Sequence, residues 1–453
     1  MSAHDRPVRP SSRANPPART RHDFFGLAAA GTTARREIVA GVTTFVTMAY
    51  IIAVNPAILA AAGIPAGPSM VATVATAVFG TLVMGLYANR PFAIAPYMGE
   101  NAFVAFTVVR MLGFRWQTAL GAVFVAGLLF IALTAARVRQ WLLDSIPPGL
   151  RHACAAGIGL FLAFVGLNES GLVALGVAGA PVRLGNLATP EAAVALISLA
   201  LICALTIRRT PGAILIGIVG ATLAALAMGV AKPPAAWLGM PPNPAPIVFA
   251  LDLKGALSWP AAGVTLIIFT MALVDTMGTL AGLAAQAGFL DDAGRLPQIE
   301  RPMLADALAT TFAALAGTTT AGAYVESAAG IAAGGRTGLT AVVTAALFAG
   351  ALFFAPFVAA IPPAACAPAL IVIGAISLAP VARIDFADFT ELLPAFAVIA
   401  LMVFTYNIGI GITAGFILYT LSKTAAGRGA EVKPGLWFLA GLSILFFIFY
   451  PYH

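Results

Sequence analysis

Apolar runs close to membrane-crossing length, one after another, leave this chain few folds to choose from. A spanning helix needs roughly 20 predominantly apolar residues. Such runs lie at 38–60, 70–88, 92–112, 116–136, 150–167, 192–207 and 211–230, then at 263–285, 303–316, 321–334, 339–354, 367–378, 389–405 and 408–421. A polar, Pro-rich stretch at 231–260 separates the two sets, and 436–449 is a further apolar run whose status the sequence leaves open. Charged residues are only 9% of the 453 and apolar ones 60%, whereas soluble domains carry about 25% charged residues. Too few charges exist to cover a soluble surface, so the expected fold is an all-α polytopic membrane protein. The net charge of +7 is scattered singly between runs, which argues against nucleic acid as a partner. Cys154, Cys203 and Cys366 lie in or beside apolar runs without metal-ligand spacing and read as small core residues. No metal site and no cofactor are expected.

The distribution of basic residues gives an orientation. With the N-terminus placed in the cytoplasm and the fourteen runs alternating, 20 of the 25 Lys and Arg fall inside, as the positive-inside rule requires. The five Trp (Trp116, Trp141, Trp237, Trp259, Trp437) fall at run ends, where an interfacial belt would put them. Residues 1–22 are Pro-, Ser- and Arg-rich with no apolar h-region, and 1–30 reads as a disordered basic cytoplasmic tail. The expected domains are a first repeat at 31–230, a periplasmic connection at 231–260, a second repeat at 261–423 and a C-terminal tail at 424–453 with one apolar segment.

Seven runs followed by seven make the second half enter the membrane from the opposite side, the inverted-repeat plan of many secondary transporters. A faint echo supports it. The stretch from Phe45 to Tyr50 resembles that from Ile268 to Leu273, and Gly99-Glu-Asn-Ala102 resembles Val325-Glu-Ser-Ala328, at offsets of 223 and 226. Runs three and ten are broken helices: one contains Ala95-Pro-Tyr-Met-Gly99, the other opens with the Gly- and Thr-rich stretch from Gly317 to Val325. Non-helical backbone at membrane depth survives only where it lines a buried cavity, so two broken runs in equivalent positions, with short extended stretches, point to the binding site.

Three acids fall inside runs by this reading: Glu100, Asp275 and Glu326. A charged acid at mid-bilayer costs about 2.5–3.5 kcal/mol, and such residues usually serve function. No Lys, Arg or His lies mid-run to pair with them structurally. Asp275 and Thr279 share a helix face, and Gly278 and Gly282 form a small-xxx-small pair suited to close helix packing. Glu326 is expected at the N-terminus of a half-helix, where backbone N–H groups and the dipole favour an anion, while Asp275 among apolar residues is suited to taking up a proton. These two are the expected proton-coupling pair. Together the carboxylates suit a neutral heterocycle rich in N–H donors. Tyr324, two residues before Glu326 in the extended stretch, is placed to stack on it; Tyr97, Phe45 and Phe269 are nearby aromatics that serve equally as helix packing.

The stretch from Gly31 to Tyr50 with Asn55-Pro56, Asp275-Thr-Met-Gly-Thr-Leu280, Tyr324-Val-Glu-Ser-Ala-Ala-Gly330, the stretch from Gly334 to Val343 and that from Asp388 to Phe396 resemble AzgA-like purine permeases of the nucleobase–cation symporter superfamily. The resemblance runs from about Gly31 to Lys423. It implies fourteen transmembrane segments in a 7+7 inverted repeat with core and gate domains, no enzymatic activity, and proton-symport import of adenine, guanine, hypoxanthine or xanthine by alternating access across a bacterial inner membrane. Partners implied are a purine nucleobase, protons as the coupling ion and the lipid bilayer, with a homodimer among the assemblies it allows. Site residues carried over are Asp275 and Glu326 as base contacts, and Thr279 stands where uracil-type relatives carry a histidine; Asn101 is expected to line the site, and Tyr324 is expected there from its place in the extended stretch. One departure stands out: the family usually has an apolar residue before the Asn of run three, and this chain has Glu100, a further expected substrate-site acid that either alters substrate choice or proton stoichiometry or points away from the site and bonds locally. The competing readings are a sulfate-type anion carrier of the same fold, which Glu100 and Glu326 would repel, and an intramembrane enzyme, for which no catalytic motif is present.

Overall fold

The computed structural model describes residues 23–136, 141, 145–177, 180–234, 236–290 and 296–448; the expected tail at 1–22 lies outside them. The chain is mostly helical. Its first half comprises α1 (Ala34–Met48), α2 (Ile51–Ala60), α3 (Ala66–Leu86), β1 (Ile94–Pro96), α4 (Met98–Ala102) continuing as a π-helix (Phe103–Met111), α5 (Trp116–Ala135), α6 (Pro148–Glu169), β2 (Val173–Val177), β3 (Ala180–Leu184), α7 (Pro190–Ile207) and α8 (Ala213–Ala227). Its second half comprises α9 (Leu253–Ala256), α10 (Trp259–Ala287), α11 (Glu300–Ala316), β4 (Ala321–Ala323), α12 (Ser327–Ala332), α13 (Gly338–Ala351), α14 (Ala355–Ala359), α15 (Pro363–Ser377), α16 (Phe389–Phe404), α17 (Ile408–Ala425) and α18 (Pro434–Ile448). Among the described residues nine helical segments are long and apolar enough to cross a membrane, and Ala213–Ala227, Phe389–Phe404 and Pro434–Ile448 are shorter apolar helices. The run at 436–449 is thus helical over most of its length.

Runs three and ten are interrupted, and their extended stretches pair with each other. β1 and β4 form an antiparallel ribbon in the register Ile94↔Ala323, Ala95↔Gly322, Pro96↔Ala321. It is extended at both ends by Tyr97 N–H to the Thr320 carbonyl (2.9 Å) and Tyr324 N–H to the Ala93 carbonyl (2.9 Å). A two-stranded ribbon has two open edges, and in apolar surroundings each backbone group left there is costly. Threonine hydroxyls close both edges. Thr81 of α3 accepts from the Ile94 N–H (2.9 Å) and donates to the Ile94 carbonyl (3.0 Å). Thr310 of α11 does the same at Ala321 (3.2 and 2.8 Å). The chain enters β4 through Gly317 at φ +99°, where an added Cβ would also meet Ile247 at 2.7 Å.

Two features go beyond what the sequence pattern predicts. β2 and β3 form a hairpin after α6, pairing Val173 with Leu184. At the far end of α17, fully buried Lys423 pairs with Glu391 (2.8 Å), Glu431 (3.3 Å) and Asp388 (3.5 Å). The Thr390 hydroxyl and the Arg428 guanidinium hold the Asp388 carboxyl well below the usual carboxylate range.

Candidate carboxyl site at the crossing strands

The ribbon brings the candidate residues together. Tyr97 follows β1 and Glu100 sits on α4; Tyr324 follows β4 and Glu326 leads into α12; Asp275 lies near the middle of α10. Glu100 is fully buried, neither of its oxygens receives a donor from another of the described residues, and the side chain facing it is the Asp275 carboxyl. Glu326 Oε1 accepts from the Tyr50 hydroxyl at 2.6 Å, and the Thr47 hydroxyl reaches the Glu326 carbonyl at 3.4 Å. Glu326 occupies the cap position of α12 but makes no side-chain capping bond. The expectation that helix N–H groups would hold this carboxylate is therefore replaced by a phenol from the α1–α2 junction. The Tyr324 ring lies parallel to that of Tyr97, 6.2 Å apart and 9° from coplanar, and its hydroxyl donates to the Pro96 carbonyl. From there it is in electrostatic reach of Glu326, Glu100 and Asp275.

Other expected residues fall elsewhere. Asn101 is fully buried and its amide donates to Asn55 Oδ1, while Asn55 Nδ2 donates to Thr73 (2.7 Å) and Thr318 (3.2 Å). Asn101 thus anchors α4 to α2. Phe45 packs edge-on against Phe348 and Phe269 stacks on Phe130, so both serve packing. Thr279 is half-buried one turn beyond Asp275. The Gly278 and Gly282 pair does not mediate close helix packing: nothing among the described residues comes within 4 Å of a Cβ at either position. Gly278, Ala281, Gly282 and Ala285 instead form an open face of α10 running away from Asp275, with Val325 60% exposed on the neighbouring element. At the opposite end the π-helix that continues α4 is tied to α6 and to the α16–α17 junction. Arg110 pairs with Glu169 at 3.8 Å, the Thr107 hydroxyl bonds the Tyr406 carbonyl at 2.8 Å, and Tyr406 packs edge-on against Phe106, Phe161 and Phe164.

The runs hold more acids than the three expected. Asp306 lies within the run 303–316, and its signal is plain: one carboxylate among alanines. It is 1% exposed, accepts the Thr276 hydroxyl at 2.5 Å and the Ala323 N–H at 3.0 Å, and so ties α10 and α11 to β4 beside Asp275. The Tyr97 hydroxyl meets Thr276 Oγ1 at 3.3 Å; because Thr276 spends its only hydrogen on Asp306, Tyr97 is the donor in that bond. Glu37, one residue before the first expected run, is also fully buried. It accepts from the Arg336 N–H (2.9 Å), the Thr337 N–H (3.2 Å) and the Thr340 hydroxyl (2.6 Å), capping α13 from α1. Tyr50 stands out in the sequence only as part of the repeat echo; its contact with Glu326 depends on tertiary packing that no local pattern reveals.

Comparison with known proteins places this geometry. A permease family model matches residues 35–417. The adenine permease AdeP of Escherichia coli strain K12 is 38% identical over 429 residues, covering 95% of this chain and 96% of that protein. The guanine/hypoxanthine permease PbuO of Bacillus subtilis strain 168 is 40% identical over 432 residues, covering 94% and 99%. Among solved structures, the transmembrane domain of the cyanobacterial bicarbonate transporter BicA superposes with a TM-score of 0.60 at 18% identity, covering 84% of this chain and 97% of that one. That last likeness is one of fold.

Proposed function

Because this chain belongs to the permease family whose model covers residues 35–417, we propose that it is a secondary transporter importing purine nucleobases (adenine, guanine, hypoxanthine or xanthine) by proton symport through alternating access. The observation that carries the substrate class is the near full-length similarity to AdeP and PbuO, at 38% and 40% identity. The site is consistent with such a ligand. Its acids present acceptors, its parallel tyrosines present flat faces, and a neutral heterocycle with several N–H donors uses both; a ligand lacking those donors would leave buried acceptors unpaired. An anion is disfavoured, because Glu100, Asp275 and Glu326 all lie within electrostatic reach of Tyr324, with no Lys, Arg or His among the described groups facing them. Proton coupling is proposed on the same ground: buried carboxyls without a basic partner are neutralised most simply by protons.

The reading includes fourteen segments in a 7+7 inverted repeat, with the N-terminus cytoplasmic in a bacterial inner membrane, as the basic-residue distribution favours. On that orientation the open face of α10 leads toward the cytoplasm and the Arg110–Glu169 end is the outer one. The test is uptake of radiolabelled adenine, guanine and hypoxanthine into cells or proteoliposomes, competed by a panel of purines and pyrimidines. Purines compete and pyrimidines do not, and an uncoupler abolishes accumulation. Uptake that ignores the uncoupler and follows a sodium gradient overturns proton coupling; no uptake of any purine overturns the substrate class.

A further inference from the structure

The acids packed among the helices divide sharply by what holds them. Glu37 receives two backbone N–H groups and a hydroxyl, Asp306 a hydroxyl and an N–H, and Glu326 a phenol. Glu100 receives none from any other described residue, although it is fully buried. What faces it is a second acceptor, the carboxyl of Asp275. The remaining titratable groups around the two are also acidic or neutral: Asp306 from α11, Tyr97 at the head of α4, Tyr324 after β4, and Cys154 from α6 beside Asp275. No cation approaches them among the described residues. Two facing carboxyls are both acceptors when ionised and can bond to each other only by sharing a proton.

We propose that Glu100 and Asp275 form a single proton-carrying carboxyl pair and that Glu100, rather than Glu326, is the coupling partner of Asp275. The inference rests on the transport reading above and goes beyond it by assigning the proton to one place. One proton, taken from the outer solution, sits between a Glu100 oxygen and an Asp275 oxygen during the inward step. It leaves to the cytoplasm when the pair opens along the Gly278–Gly282 face. Glu326, held by Tyr50, is left to meet the ligand. Glu100 thereby couples transport through Asp275 without having to touch the purine.

Glu100→Gln tests this, because the Gln amide supplies an N–H to Asp275 but carries no titratable proton. In proteoliposomes holding the full-length protein, exchange of radiolabelled hypoxanthine for internal unlabelled hypoxanthine stays within about threefold of wild type, whereas accumulation driven by an imposed pH gradient falls at least about tenfold. Exchange in this variant also loses the pH dependence that wild type shows. Glu100→Leu, which can neither donate nor accept, loses accumulation as well, so a merely steric requirement for Gln is excluded. Glu100→Gln protein that accumulates hypoxanthine like wild type under the same gradient overturns the proposal. So does loss of exchange together with accumulation, which would make Glu100 a ligand contact, and so does rescue of accumulation by a sodium gradient. Wild-type vesicles that exchange none of adenine, guanine or hypoxanthine remove the transport reading itself, a failure distinguishable from the others because it needs no variant.

Discussion

The two halves of the molecule build the same object, a helix clamping a short strand that leads into a half-helix, and they differ at three positions that belong together. Thr81 on α3 clamps Ile94 of β1, and Thr310 on α11 clamps Ala321 of β4. Superposing threonine on threonine sets Asp306 opposite Ala77; superposing strand on strand sets Ala323 opposite Pro96 and Gly322 opposite Ala95. In the first half the strand residue is a proline with no N–H, so the helix needs no acceptor and carries a methyl. In the second half that residue has an N–H, and Asp306 accepts it. The carboxylate needs space, and the position that holds Ala95 in the first half is Gly322 in the second, where a Cβ would meet the Tyr97 hydroxyl and Asp306 Oδ1. The three exchanges are one exchange: a self-sufficient strand in one half, a strand leaning on a buried acid in the other. The half with the acid also adjoins Asp275 and leads to Glu326.

The largest effect comes from removing that acid. Asp306→Ala orphans the Ala323 N–H and the Thr276 hydroxyl in a buried site. Hydrogen bonds to charged groups contribute about 1.5–3 kcal/mol each, so the loss of two is about 3–6 kcal/mol, read as a drop in the melting midpoint of detergent-solubilised protein together with loss of uptake. Adding Ala323→Pro recreates the first-half arrangement by deleting the orphaned donor, and the double variant recovers about 1–2 kcal/mol over Asp306→Ala alone. A double variant no more stable than the single one breaks the equivalence of the two strands.

Much of this architecture is legible in the sequence. The apolar runs locate the helices, and the interruptions at Ala95-Pro96 and at Gly317–Val325 locate the extended stretches, because proline and glycine act on the local backbone. Glu100 stands out by its chemistry alone. What stays hidden needs partners from distant segments: the pairing of β1 with β4, the Tyr50 bond to Glu326 across 276 positions of sequence, and the place of Asn101 in the core rather than in the site. Gly278 and Gly282 mislead for the same reason, since a small-residue spacing fits an open face as well as a packed one.

A smaller effect tests the space that the acid fills. Gly322→Ala pushes a methyl into the Tyr97 hydroxyl and the Asp306 carboxylate; overpacking of this kind costs about 1–3 kcal/mol. The reciprocal Ala95→Gly removes a methyl from an otherwise equivalent strand and costs about 0.5–1 kcal/mol, mainly through chain entropy. Because Tyr97 and Asp306 both border Asp275, Gly322→Ala also weakens purine affinity in competition assays while Ala95→Gly leaves it near wild type. Equal effects on affinity would mean that the asymmetry belongs to folding and has no bearing on the site.

Modest single effects come from the feature the halves share. Thr81→Val and Thr310→Val keep the side-chain shape and remove the hydroxyl that closes one ribbon edge, leaving an N–H and a carbonyl unpaired where no water is at hand. Each costs about 1–2 kcal/mol. If the halves are equivalent here, the two losses agree within about 0.5 kcal/mol, the scatter expected even between independent sites. The two edges are not independent, however, because β1 and β4 bond to each other. With one threonine gone the ribbon is still held from the other side; with both gone both threonine clamps are lost, and only the Asp306 bond to the Ala323 N–H still holds an edge. The Thr81→Val, Thr310→Val double variant therefore loses more than the two singles added together, measured as melting midpoints of the purified proteins. Simple additivity would show that each strand is held by its own helix alone, and that the ribbon joining the two halves transmits nothing between them.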